Sequence, residues 1–228
     1  MNYRVFKDRE EAAEELAEKI KSYLISIGIR EGTEEHKAIV VLAIPRGGVI
    51  TGDVIASRVK CDMDIIVSRK IGAENNSELA IGALLPDGTY FINESIANML
   101  NTPKVYIDNE VKIRKKVIER RLIEFRGNKN YNLDRKIVIL VDDGIATGST
   151  IIAAAKWIKE RHNCKRLIIA VPVAPAAKDT IDKLDELADH VIVLDIIKEF
   201  YAVGQFYQNF NQVENEVVKE IIKKYKNN

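Results

Sequence analysis

The chain carries only two cysteines, Cys61 and Cys164, far apart and without a CxxC pair. That excludes a disulfide framework and a cysteine-based zinc site. Its three histidines, His36, His162 and His190, are scattered without metal-ligand spacing, and neither GxSxG nor HExxH occurs. No apolar run approaches the roughly 20 residues of a membrane span. The charged N-terminus MNYRVFKDREEAAEEL lacks the apolar stretch of a signal peptide. A soluble, cytoplasmic protein with no membrane partner is the expectation. Charge of one sign is also missing: 35 basic and 34 acidic residues leave +1, which argues against nucleic acid as a partner. No internal repeat, low-complexity tract or domain-length linker divides the 228 residues, and 46% of them are hydrophobic. That is enough for one sizeable core, and a single domain over 1–228 is expected.

What is present is an alternation of helices and buried strands. DREEAAEELAEKIKSYLISIG opens with Asp8 and Glu11 at capping-box spacing. Its apolar residues Ala13, Leu16, Ala17, Ile20, Leu24 and Ile27 keep a helical rhythm up to Gly28. AIVVLAI then reads as a strand, GGVITGDVIASRV as a helix and DIIVSRK as a strand. Further on, KIVILVDD, RLIIAVPVA and HVIVLDI read as strands, with TIIAAAKWIKER and KDTIDKLDELA as the helices between them. This pattern predicts an α/β fold: a doubly wound, mostly parallel sheet of about five strands covered on both faces. Two segments break the alternation. ELAIGALLPDGTYFINES, 78–95, turns at Pro-Asp-Gly and reads as a β-hairpin, while 107–126 reads as a long basic helix. The expected organisation is an N-terminal helix and loop over 1–37 and a core over 38–195. The core contains a flexible loop and hairpin at 71–92, and 196–228 forms a hood and C-terminal helix on the sheet's edge.

Ligands of open parallel sheets bind beyond the carboxyl ends of the strands. Three stretches fall there: PRGG, SRK and DDGIATGST. In the last, Gly144 and Gly148 let the backbone approach a ligand, and Thr147, Ser149 and Thr150 offer hydroxyls. The following helix begins with unpaired N–H groups, so the turn is a phosphate cradle. It lacks the lysine of a nucleoside-triphosphate P-loop, which points to a simple phosphate monoester. Asp142 and Asp143, just before it, suit vicinal hydroxyls on the same molecule, as in a sugar 5-phosphate with a free diol.

ILVDDGIATGST resembles the phosphoribosyl-pyrophosphate (PRPP) motif of the type I phosphoribosyltransferases, a likeness extending over roughly 38–200. The resemblance implies that Asp142 and Asp143 bind the ribose hydroxyls. It implies that Gly144, Ile145, Ala146, Thr147, Gly148, Ser149 and Thr150 hold the 5-phosphate, mainly through backbone N–H groups. Arg46, Gly47 and Gly48 match the family's pyrophosphate loop; a plain βα turn is the competing reading. Arg69 and Lys70 stand where the family has its mobile catalytic loop; a solvated strand end competes with that role. Phe200, Tyr201 and Phe206, in an aromatic tail that also holds Tyr207 and Phe210, stand where a hood stacks the acceptor base; a small hydrophobic cap is the alternative. Mg²⁺ is implied with PRPP, near Asp142 and Asp143 and reached through water.

The implied reaction displaces pyrophosphate from PRPP by a nitrogen base, in a homodimer of nucleotide salvage or biosynthesis. One departure stands out: 6-oxopurine members carry an acid where this sequence has Ala146, so the acceptor stays open. The basic helix keeps a second possibility open, a PRPP-sensing regulator without turnover that contacts RNA or DNA. A solvated face is the usual meaning of such a helix. Arg126, before Gly127, is a further candidate to reach a phosphate.

Overall fold

A computed structural model of the protein describes residues 3–226, with backbone alone at 77, 78 and 179. The outermost residues of the expected 1–228 domain therefore lie outside the described residues. Asp8 caps the first helix, α1 (Arg9–Ser26), by accepting from the Glu11 N–H, and a single turn, α2 (Glu34–Lys37), precedes β1 (Ile39–Ala43). Then follow α3 (Gly47–Val59), β2 (Asp62–Ile65), β3 (Arg69–Ala73), β4 (Asn76–Leu84), β5 (Tyr90–Ile92), α4 (Glu94–Met99) and α5 (Lys104–Arg121). The last turn after α5, Leu122–Arg126, widens to π geometry. The chain closes with β6 (Ile137–Val141), α6 (Ser149–Arg161), β7 (Arg166–Pro175), α7 (Lys178–Leu187), β8 (His190–Ile197) and α8 (Asn215–Tyr225). Among the described residues no helix is long and apolar enough to cross a membrane.

Five strands form a parallel sheet in the order β2-β1-β6-β7-β8. Every residue of β1 and β6 is buried, because alternate side chains enter opposite layers. Ile39, Val41 and Ala43 join a core built with α1, α3 and α8, while Val40 and Leu42 join one built with α6 and α7. A continuous apolar run of five is what two covered faces require. The doubly wound sheet of five strands is thus as expected.

The excursion between β2 and β6 differs from its expected form. DIIVSRK does not make one strand: β2 stops at Ile65, and Arg69 opens β3 in a separate antiparallel sheet, β3-β4-β5. Ile71, Ala73, Ile81 and Leu84 of this small sheet are buried in the main core. The hairpin turn at Pro86–Gly88 is where the Pro-Asp-Gly signal placed it, but its second strand ends at Ile92 and 94–99 is helical. At the other end, α8 packs beside β2 and α3, with Lys224 Nζ and Tyr225 Oη donating to Asp53 at 2.6 and 2.7 Å.

A third, small core lies under the tail. Phe6, Phe206 and Tyr207 are buried with Ala12 and Val173. The N-terminal segment pairs alongside the tail: Phe6 N–H donates to Phe206 O and Gln208 N–H to Phe6 O, both at 2.8 Å. The hood is therefore built from both ends of the chain.

Candidate functional site

The chain leaves β1 toward β2 on one side and later returns to β6 on the other, so strand order reverses between β1 and β6. Loops leaving two such strands diverge and open a crevice at their carboxyl ends. They are the loop 44–46 with the first turn of α3, and the loop 142–148, so two of the three candidate stretches share one crevice. Gly47 and Gly48 begin α3 directly against the two acids. A Cβ on Gly47 would overlap Asp143 Oδ2, and one on Gly48 would fall 2.8 Å from Asp142 Oδ1 and 2.9 Å from its Cα. Arg46, half-buried, precedes them, and the Pro45–Arg46 peptide bond is cis.

Burial first, and the charge of Asp143 second, hold the Asp142 carboxyl well above the usual carboxylate range. Asp142 Oδ1 accepts from the Asp143 N–H at 2.9 Å. Asp143 has a cation of its own: Arg9 Nε donates to its Oδ2 at 2.7 Å. The Tyr207 hydroxyl donates to the Asp143 backbone carbonyl at 2.7 Å. Burial, and then the charge of Asp143, raise that phenol above its ordinary range.

The small-residue loop divides into an anchored half and an open half. Gly144 is enclosed between Val173 and Val203, and Ile145 is buried with its N–H donating to Val173 O at 2.9 Å. Ile145 therefore anchors the loop, and its amide is not left for a phosphate as expected. Among the described residues no acceptor is bonded by the amides of Ala146, Thr147 and Gly148. Ala146 and Thr147 are exposed. Gly148 takes φ +76°, the left-handed conformation that aims successive amides into one hollow, and α6 begins at Ser149. The Thr147 and Ser149 hydroxyls lie 3.1 Å apart, with Thr150 half-buried in the next position. Bare amides, a helix N-terminus and hydroxyls together favour a phosphate.

Other expected residues are placed differently. Arg69 and Lys70 start β3, paired with Leu84 and Ala83, in the small sheet instead of at the end of a core strand. Phe206 is fully buried against Phe6 and presents no ring face to a ligand, which corrects its expected role in base stacking. Phe200 is half-buried and packs on Phe206 at 5.0 Å, while Tyr201 is 87% exposed. Arg126 is no phosphate ligand either: it grips Asp64 through two bonds of 2.7 and 2.6 Å and is 6% exposed.

Arg9 joins the site without having been expected there. Arg121, the last residue of α5, has its guanidinium lowered from its ordinary range by burial and then by the charge of Arg46. The local signal for Arg9 is its position: a cation in the first turn of a helix opposes the helix dipole and calls for a tertiary partner.

A family model for the phosphoribosyl transferase domain matches residues 10–210. Two curated relatives, from two strains of Mycobacterium tuberculosis, are each named provisionally as a phosphoribosyl transferase. Both are 32% identical over 216 residues, 94% of this chain. The chain spans about half of their length, 46%. A crystal structure from Thermus thermophilus is 31% identical, covers 97% of this chain and 99% of its own, and superposes with a TM-score of 0.76. With its switch-point acids and the matched domain spanning nearly all of its length, the chain belongs to the phosphoribosyl transferase domain family.

Proposed function

We propose that this chain binds Mg²⁺–PRPP at the switch point and transfers its 5-phosphoribosyl group to a nitrogen heterocycle, releasing pyrophosphate. The contact of Gly47 and Gly48 with Asp143 and Asp142 carries this reading. PRPP has a diol between a 5-phosphate and a 1-pyrophosphate. The crevice has two acids between a loop of open amides and a loop that carries Arg46. Family membership favours the same ligand.

In the reaction the C1–O bond to pyrophosphate breaks, a C1–N bond forms, and the ribose carries oxocarbenium character between the two. Such a reaction asks for positioning and charge stabilisation more than for covalent chemistry from the protein. Asp142 and Asp143 accept from the ribose hydroxyls and fix C1 relative to the leaving group. The amides of Ala146, Thr147 and Gly148 and the hydroxyls of Thr147, Ser149 and Thr150 hold the 5-phosphate. Arg46 and Arg121 draw charge from the departing pyrophosphate, with Arg69 and Lys70 approaching from β3. Phe200 and Tyr201 border the acceptor side, and Ala146 offers a methyl group there, which disfavours acceptors read through a carboxylate.

Among the described residues no three His, Cys, Asp or Glu side chains gather as a metal site. The two adjacent acids fit a Mg²⁺ ion that arrives on substrate oxygens and keeps most of its waters. Bound there, Mg²⁺ would neutralise the pyrophosphate as it leaves.

A panel of purine, pyrimidine and other nitrogen bases, each incubated with Mg²⁺–PRPP while pyrophosphate is monitored, tests the proposal. Release with one of them is the expected result. Tight PRPP binding with no release across the panel would replace the enzyme with a PRPP-binding regulator.

A further inference from the structure

Arg9 is 8% exposed although it begins a helix at the protein's surface. Its Nε meets Asp143, one terminal nitrogen donates to the Asn211 carbonyl at 2.9 Å, and its guanidinium lies 3.9 Å over the ring of Phe210. Phe210 in turn stacks on Tyr207, with ring centroids 5.1 Å apart and planes 21° from parallel. The Tyr207 hydroxyl returns to the Asp143 backbone. These contacts form a closed circuit: acid to arginine, arginine to hood, hood to the same acid.

We infer that Arg9 is a positioning residue that ties the hood to Asp143, so that a sugar phosphate bound at the acid and the ordering of hood residues 199–211 are coupled. The inference rests on the PRPP reading of the site. A carboxylate accepts about four hydrogen bonds, and Arg9 occupies only Oδ2. Oδ1 can take a ribose hydroxyl while Arg9 stays in place. An acid held by the hood binds its ligand without first being ordered, and by linkage the ligand must then steady the hood. A purely structural ion pair would stabilise the fold and leave no such dependence.

Hydrogen exchange followed by mass spectrometry, on the full chain with and without saturating Mg²⁺–PRPP, distinguishes the two. In the parent, PRPP should slow exchange in 199–211 by about tenfold, the scale of one charge-assisted hydrogen bond. In Arg9→Gln, PRPP affinity measured by calorimetry should fall by about tenfold or more. At a PRPP concentration that saturates that variant, the hood response should be lost, with Arg9→Lys recovering part of both. Tyr207→Phe cuts the other tie while keeping the ring, and should shrink the hood response even if Arg9→Gln fails to fold. An unchanged hood response in Arg9→Gln or in Tyr207→Phe overturns the coupling. So does PRPP binding in the parent with no change in 199–211. Failure of the parent to bind PRPP at all overturns the sugar-phosphate reading itself, a separate result.

Discussion

Gly47 lies so close to Asp143 that a methyl group on its α-carbon would overlap the carboxylate Oδ2. The same oxygen accepts from Arg9 Nε, which would itself lie 3.0 Å from that methyl group. Gly47→Ala should therefore push the two loops apart. Overpacking of this kind costs about 1–3 kcal/mol, visible as a lower melting temperature. PRPP affinity should fall by at least about tenfold, because binding energy then goes into restoring the acid's place. Calorimetry and thermal unfolding of the same preparation check both effects.

Asp142 supplies a pH prediction. Its carboxyl is raised by burial and then by the charge of Asp143, with Arg9 opposing. The folded chain keeps a proton that the unfolded chain releases near pH 3.9. Stability contributed at this position is thus greatest in acid and is lost as pH climbs from that value through the raised one. Asp142→Asn removes the loss. In EDTA-containing buffer the variant should melt above the parent at pH 7.5, and the gap should close as pH approaches 4. A gap that widens toward acid has the wrong sign for this account.

Arg126 is a structural cation, in contrast to the arginines proposed to meet the ligand. Besides Asp64, it donates to the Asn130 carbonyl at 2.8 Å and stacks 3.7 Å over Tyr131. Arg126→Met strands Asp64, whose side chain keeps 29% exposure. The cost should be about 2–3 kcal/mol in urea unfolding, below that of a fully enclosed pair. PRPP affinity should stay within about twofold of the parent, since no ligand contact is removed.

The aromatic tail divides in the same way. Phe206 is fully buried, so Phe206→Ala should destabilise by about 3 kcal/mol or more. Tyr201 is 87% exposed, and Tyr201→Ala should change stability by no more than about 0.5 kcal/mol. Any effect of the Tyr201 change should appear in the KM for the acceptor base.

The contrast between these residues shows what is legible in the sequence. β1 and β6 are, because burial on both faces leaves an unbroken apolar run. The acids and the small-residue turn are legible because they lie together in one continuous stretch, 142–150. DIIVSRK reads as one strand because strand propensity continues through the point where the chain changes sheet, and no glycine or proline marks the change. Ile145 looks like one more cradle residue, since nothing local reveals that its amide meets Val173. Arg9 and Asp143 are 134 residues apart, a pairing made by the fold alone. The aromatic cluster announces a hood, but which rings face inward depends on Phe6, at the other end of the chain.

The central claim is that the two acids bind the ribose of PRPP. Titration calorimetry of Mg²⁺–PRPP into the parent, Asp142→Asn and Asp143→Asn chains tests it most directly. Each substitution should weaken binding by about ten- to a hundredfold, the scale of hydrogen bonds to a charged acceptor, while both variants keep a cooperative unfolding transition. Binding as tight as the parent's in both variants would contradict the account.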